Sequence, residues 1–229
     1  MTYKLAIFDW NGTLIDDSFA NHAGSNATFA VAGRAPITIE QYRETMDFPL
    51  IHFYNRNGID TDTYLSQTAK FNDAFMETYK KEQEKAFLRR GAMEMLDHLL
   101  DHGLTLMILS NHVQEHLEEQ LARLHVHSKF KHICGNPVFR SEEITKMTKL
   151  DRLQKVMTDN AYDAKDAFII GDSLEEPEIA DQMGMTCVSV TWGCFSEERL
   201  RKSPTHHVIH ELSDLPSILG LGSQFKLES

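Results

Sequence analysis

Only three cysteines occur in 229 residues, and Cys134, Cys187 and Cys194 are too widely spaced for a disulfide framework or a zinc-ligand pattern. They read as reduced thiols. Proline (6) and glycine (12) are sparse, no low-complexity stretch suggests disorder, and no internal repeat occurs. Long apolar runs are missing as well. Nothing approaches the roughly 18 residues that a membrane helix requires. The opening residues, Met1 to Phe8, hold an apolar run too short for a secretory signal, with an acid directly behind it. A cytoplasmic location is the expectation. Basic residues are also in short supply: 23 Lys and Arg stand against 34 Asp and Glu, a net charge of −11. Such a chain repels a polyanionic backbone, so nucleic acid is not an expected partner. A small phosphorylated metabolite is compatible, because a few local donors and a bound cation can outweigh distributed charge.

What is present is an ordinary globular composition, with 41% hydrophobic and 25% charged residues. Short β-prone runs at 3–8, 104–109, 167–170 and 185–191 suit strands buried on both faces. Helical spacing falls between them: Met93, Leu96, Leu99 and Leu100 ending at Gly103; Val113, Leu117, Leu121 and Leu124; Ile179, Ala180 and Met183 ending at Gly184. This alternation predicts an α/β fold with a doubly wound, Rossmann-like parallel sheet. Residues 16–87 break the rhythm. They hold no convincing strand, but a helix over 14–32, two short helices around Asp47, Phe48 and Pro49, and a long aromatic stripe at Tyr64, Thr68, Phe71, Phe75 and Tyr79. The expected organisation is a discontinuous core, 1–15 and 88–229, with a helical insertion over 16–87. The stripe reads as packing inside that insertion.

Ligands of an open parallel sheet bind beyond the carboxyl ends of its strands. The first apolar run is followed by Asp9-Trp10-Asn11-Gly12-Thr13-Leu14, the second by Ser110-Asn111, and the third by Gly171-Asp172-Ser173 with Glu175 and Glu176 close behind. One edge of the sheet thus gathers carboxylates, a hydroxyl and turn residues. Metal-assisted phosphoryl transfer needs such a set: oxygen ligands for a hard cation, a nucleophile and donors for phosphate oxygens.

In these motifs and their order the chain resembles the haloacid dehalogenase superfamily, and in the segment from Gly184 to Leu200 its phosphoglycolate phosphatase-like branch. The first motif, D-x-D-G-T-L, is met by Asp9 to Leu14; the second by Ser110; the fourth, G-D-S-x-x-D, by Gly171-Asp172-Ser173 with Glu176 last. The helical insertion matches that branch's cap. The third motif is a lysine opening a helix. Lys149, 23 residues before Asp172, is preferred because Thr148 and Asp151 form a capping box there; Lys146 is the alternative.

The resemblance implies a phosphatase in which Asp9 forms an aspartyl-phosphate. Mg²⁺ would be held by Asp9, the Asn11 backbone carbonyl and Asp172, with Glu176 acting through water. Ser110, Asn111 and Lys149 would bind phosphate oxygens. The departure is Asn11, where the family carries an acid/base aspartate, since an amide can neither donate nor accept the catalytic proton. Two readings result: a working phosphatase using good leaving groups or another acid, or a phosphate-binding or regulatory protein with vestigial activity. Asp16, Asp17, His22 and His112 are the nearest alternative acids in sequence. Phosphonoacetaldehyde hydrolase also lacks the second aspartate and is similar around Arg43-Glu44-Thr45-Met46, but its Schiff-base lysine is replaced here by Leu50. Dehalogenation of haloacids is disfavoured by the G-T turn. The pairs His98/His102 and His112/His116 have metal-like i,i+4 spacing, yet read as hydrated helix faces, except that His112 lies directly after Ser110-Asn111 and is a candidate to face substrate.

Overall fold

A computed structural model describes residues 3–137 and 148–222. Among these, six strands form one fully parallel sheet: β1 (Leu5–Phe8), β2 (Thr105–Val113), β3 (His132–Asn136), β4 (Ala167–Gly171), β5 (Thr186–Val190) and β6 (His207–Ile209), in the order β3-β2-β1-β4-β5-β6. The strands are near-continuous apolar runs because helices cover both faces. Even-numbered side chains (Ala6, Phe8, Leu106, Ile108, Phe168, Ile170) pack one way and odd-numbered ones (Leu5, Ile7, Met107, Leu109, Ile169) the other, each face closing its own buried cluster.

The insertion contributes α1 (Ser18–Val31), α2 (Ile39–Thr45), α3 (Ile51–Arg56), α4 (Thr61–Ser66) and α5 (Thr68–Gln83). Next come α6 (Ala92–Asp101), α7 (Gln114–Arg123), α8 (Lys149–Asp159), α9 (Glu175–Met183), α10 (Glu197–Arg201) and α11 (Leu215–Ile218). Helices α6 and α7 supply Met95, Leu96, Leu99, Leu117 and Leu121 to the even face, while α8 and α9 supply Leu153, Met157, Ile179 and Ala180 to the odd one. The result is a three-layer α/β fold. Its switch point lies between β1 and β4, where the chain leaves for opposite halves of the sheet, the position at which ligands of such sheets bind.

Four local expectations differ from the structure. Strands β3 and β6 are additional; both are short edge strands carrying His, Asn or Gly, without the apolar run that marks a central strand. The helix expected over 14–32 begins only at Ser18, because 14–17 is a linker. The aromatic stripe breaks at Gln67 into α4 and α5. Finally, β2 continues past Leu109 to Val113 with a shift of register against β3, so Ser110 and Asn111 lie within an irregular strand end. Such a bulge re-aims side chains beside a site.

The insertion leaves and re-enters through two antiparallel linkers. Asp16 N donates to Phe87 O (2.9 Å), Arg89 N donates to Leu14 O (2.8 Å), and Arg89 pairs with Asp16 at 3.1 Å. Its aromatic core of Phe29, Tyr42, Phe53 and Phe71 is continuous with Phe195 and Leu200 of the sheet domain. Arginines clasp this contact from both sides. Arg43 donates to the carbonyls of Gly193 (2.9 Å) and Trp192 (3.0 Å), while Arg199 donates back to the carbonyl of Met46. All three cysteines are free thiols. Among the described residues no helix is long and apolar enough to cross a membrane.

Helix α8 starts from a complete capping box: Asp151 N donates to Thr148 Oγ1 (3.1 Å), and Thr148 N donates to Asp151 Oδ2 (2.7 Å). Thr148→Ala is expected to lower unfolding free energy by about 1 kcal/mol, or roughly 2–4 °C in Tm for a chain of this size. Calorimetry checks this, and an unchanged Tm would mean that packing alone sets the helix start.

Candidate active site

Asp9 leaves β1 directly beside the end of β4, its N–H donating to Ile170 O (2.9 Å). The adjacent Trp10 is buried and donates from Nε1 to Gln120 Oε1 (2.6 Å), which turns the alternate residues, Asp9 and Asn11, away from that core. Asp172 stands just past β4 and is 2% exposed. Its Oδ2 accepts from Cys194 N (2.6 Å) and its Oδ1 from Thr13 Oγ1 (3.3 Å). Two glycines permit this convergence. A Cβ on Gly12, whose φ is +70°, would stand 2.5 Å from Asp172 Oδ2, and one on Gly193 would stand 2.1 Å from it.

Lys149 is the first residue of α8 and 3% exposed. Its Nζ donates to Asp9 Oδ1 (2.8 Å) and to Glu176 Oε1, and lies 3.9 Å from Glu175 Oε2. The charges decide each other's states. Burial pushes Asp9 up to about 8; Lys149 opposes that shift, and Glu176 and Asp172 reinforce it. Asp172 is likewise pushed up to about 6 by burial. Burial also works against the Lys149 ammonium, but Asp9, Glu176 and Glu175 more than offset it and hold the pKa well above the ordinary lysine range. Glu176 is opposed by burial too, yet Lys149 and Ser173 bring it below the usual carboxylate range. Glu176 is also bonded by Ser173 N (3.2 Å) and Ser173 Oγ (2.7 Å), so its oxygens are already engaged.

The second motif is placed beside this cluster. Ser110 is 1% exposed, and its Oγ accepts from His112 N (3.1 Å). Asn111 donates from Nδ2 to Glu175 Oε2 (2.7 Å) and accepts at Oδ1 from Arg152 Nη2 (3.0 Å). Arg152 is a residue that the motifs did not reveal. It lies one turn after Lys149, is 7% exposed, and has Nε and Nη1 buried without partners. The available signal was a second cation at i+3 on the same helix face. His112 is half-buried beside Tyr79, with Nε2 unpartnered; burial, aided by His116, holds its pKa down to about 4.

Asn11 donates from Nδ2 to Asp17 Oδ2 (2.6 Å) and to Tyr79 OH (3.1 Å). Asp17 is fully buried, and burial raises its pKa. Of the other candidate acids, Asp16 pairs with Arg89 and His22 Nε2 bonds the carbonyl of Ile37 (2.7 Å). Asp9, Asn11, Ser110, Asn111, Lys149 and Asp172 are therefore brought to one end of the sheet, whereas Lys146 lies outside the described residues. His98, on α6, and His102, directly after that helix, contact each other.

Residues 6–190 match the profile of the family described as haloacid dehalogenase-like hydrolase. The chain belongs to this family. It is 24% identical to a phosphoglycolate phosphatase of Pseudomonas fluorescens over 98% of its own length and 83% of that protein's. It is also 24% identical to one from Synechococcus elongatus, covering 91% of this chain and 93% of that one. Among solved structures, a haloacid dehalogenase-like family protein from Streptococcus pneumoniae superposes with a TM-score of 0.78 at 21% identity, over 95% of this chain and 98% of that one. The crystal structure of a putative phosphoglycolate phosphatase from Lactobacillus delbrueckii gives 0.74 at 19%, over 96% of this chain and 99% of that one. These structures share its fold.

For a haloacid dehalogenase-like hydrolase, the donors at the site are the test of a metal. Asp9 and Asp172 offer carboxylate oxygens and Asn11 a backbone carbonyl, a hard donor set suited to Mg²⁺. Two buried carboxyls held above their ordinary range by burial and by neighbouring carboxylates are what a divalent cation would relieve. The described residues contain no cluster of three or more His, Cys, Asp or Glu side chains able to hold a metal ion. Any cation here therefore relies on the backbone carbonyl, water or a substrate oxygen.

Removing the ammonium has a predictable sign. Lys149→Met leaves Asp9 and Glu176 buried without a counter-charge, which should cost about 3–5 kcal/mol of unfolding free energy near pH 8. In the wild type, Glu176 has a folded pKa below its unfolded value, so its contribution is present above the unfolded value and lost as pH falls. In the variant, burial and the facing carboxylates raise Asp9, and burial of Glu176 is opposed by its Ser173 bonds but no longer by an ammonium, so the penalty grows as pH rises and shrinks on acidification. Urea unfolding at pH 5 and pH 8, with chelator present, reads the difference; a larger penalty at pH 5 contradicts the charge arrangement.

Proposed function

We propose that the chain is a Mg²⁺-dependent phosphatase that hydrolyses a small phosphorylated metabolite through an aspartyl-phosphate on Asp9. The observation that carries this reading is the Lys149 bridge to Asp9 beside Asp172, at the switch point of the sheet. Similarity to phosphoglycolate phosphatases over nearly the whole chain supports a small phosphorylated acid as the substrate class.

In this reading Lys149 holds one oxygen of Asp9, leaving the other to attack phosphorus in line as the P–O bond to the leaving group breaks. Ser110, the backbone amide of Asn111 and Lys149 receive the phosphoryl oxygens, and water then cleaves the acyl phosphate. Asp9, the Asn11 carbonyl and Asp172 would hold Mg²⁺, which when bound offsets negative charge on the phosphoryl group. Glu176 supports this site through Lys149 and Ser173. The insertion, 16–87, serves as a cap over the core formed by 1–15 and 88–229, and limits substrate size and water access.

A second reading, a phosphate-binding or regulatory protein with vestigial activity, draws on Asn11, whose amide cannot protonate an alkoxide. The two separate by leaving group. The phosphatase should turn over acyl or aryl phosphates faster than alkyl esters by up to the ~10²–10⁴ that general acid catalysis contributes. A phosphate-release panel with and without Mg²⁺ checks this, and binding without release from any member selects the second reading. Asp9→Asn, nearly isosteric, is expected to abolish release with an unchanged circular dichroism spectrum, while Asp172→Ala should raise the Mg²⁺ half-saturation at least about tenfold. Full activity in Asp9→Asn would overturn the assignment.

A further inference from the structure

Asp17 stands immediately before α1, where an aspartate ordinarily caps the helix with its side chain, but here it makes no such cap. Its carboxylate turns back to the first motif. Oδ1 accepts from Gly12 N (2.8 Å), and Oδ2 accepts from Asn11 Nδ2 (2.6 Å), Tyr79 OH (3.0 Å) and Asn21 Nδ2 (3.3 Å). Tyr79, 4% exposed near the end of α5, donates to Asp17 and accepts from Asn11, which closes a triangle. One corner belongs to the sheet domain and the other two to the insertion.

We propose that Asp17 is a positioning residue, and that Asn11, Asp17 and Tyr79 form a latch seating the insertion on the first motif. The third residue of that motif thereby senses the seat of the insertion and not the leaving group. The geometry accounts for the amide: a donor is required opposite a buried acceptor carboxylate, and a second carboxylate 2.6 Å away would meet a like charge. These are charge-assisted bonds in a dry setting, stronger than neutral ones, and a buried carboxylate deprived of its donors is costly. The latch adds to the two linkers, the shared aromatic core and the arginine clasp, and acts where α1 and α5 pack together, Gly24 lying against Phe75.

This role goes beyond the phosphatase reading and uses it for one of two readouts. The first is hydrogen exchange by mass spectrometry in wild type, Asn11→Ala, Asp17→Asn and Tyr79→Phe. The latch predicts exchange at least about tenfold faster in residues 14–18 and 79–89 of each variant, with the sheet unchanged. It also predicts that Asn11→Ala/Tyr79→Phe is no faster than Asn11→Ala alone, because members of one network are not additive. The second readout is kcat/KM on an alkyl phosphate and on p-nitrophenyl phosphate. A latch lowers both by the same factor in Asn11→Ala. A loss about tenfold greater on the alkyl ester would place the amide on the leaving group and overturn the proposal, as would unchanged exchange in the Tyr79→Phe and Asp17→Asn variants. If the wild type releases phosphate from neither substrate, the hydrolase reading falls while the exchange comparison still decides the latch.

Discussion

A single buried ammonium governs this site. Lys149 faces Asp9, Glu176 and Glu175, and Asp172 stands near enough to raise Asp9. At an effective dielectric of about 20, unit charges 4 Å apart interact by about 4 kcal/mol, so one cation cannot satisfy every carboxylate around it. The excess negative charge must be met by protons or by a second cation. The same constraint reaches into the fold: the capping box that starts α8, the glycines that let Asp172 approach, and the Ser173 bonds that engage Glu176 all serve to hold these charges in register.

Much of this was legible in the sequence because it depends on local signals. A buried parallel strand writes itself as an apolar run, and the residues just beyond the run are delivered to the edge where ligands bind. Asp9, Ser110 and Asp172 could be placed on that basis, and Thr148 with Asp151 singled out Lys149. The edge strands β3 and β6 escaped notice because an edge tolerates polar residues and needs no apolar run. The break at Gln67 was hidden because two helices can share one stripe. The i+3 spacing marks Arg152 as a neighbour of Lys149, but its partner Asn111, like the roles of Tyr79 and Asp17, was beyond reach for another reason. Their roles arise from contacts 41, 68 and 62 residues apart along the chain, for which no spacing rule exists. Asp17 could be named as a nearby acid, but only the fold shows it as an acceptor.

The departure at Asn11 therefore reaches beyond a lost proton donor. A substitution in a catalytic motif is often read as decay, yet here the amide has a dedicated acceptor in Asp17, itself buried and fully bonded. Local chemistry and tertiary structure agree at this position, which marks a consistent arrangement in place of a damaged one.

The paired linkers have a consequence for how such a chain can change over time. Because Leu14 and Arg89 already share a backbone hydrogen bond, the five helices between them are an excursion whose ends meet. Loops with adjoining ends are where insertions are best tolerated. A lineage could lengthen, exchange or delete that excursion without re-threading a single strand. The sheet would retain its chemistry while selectivity was rewritten from outside.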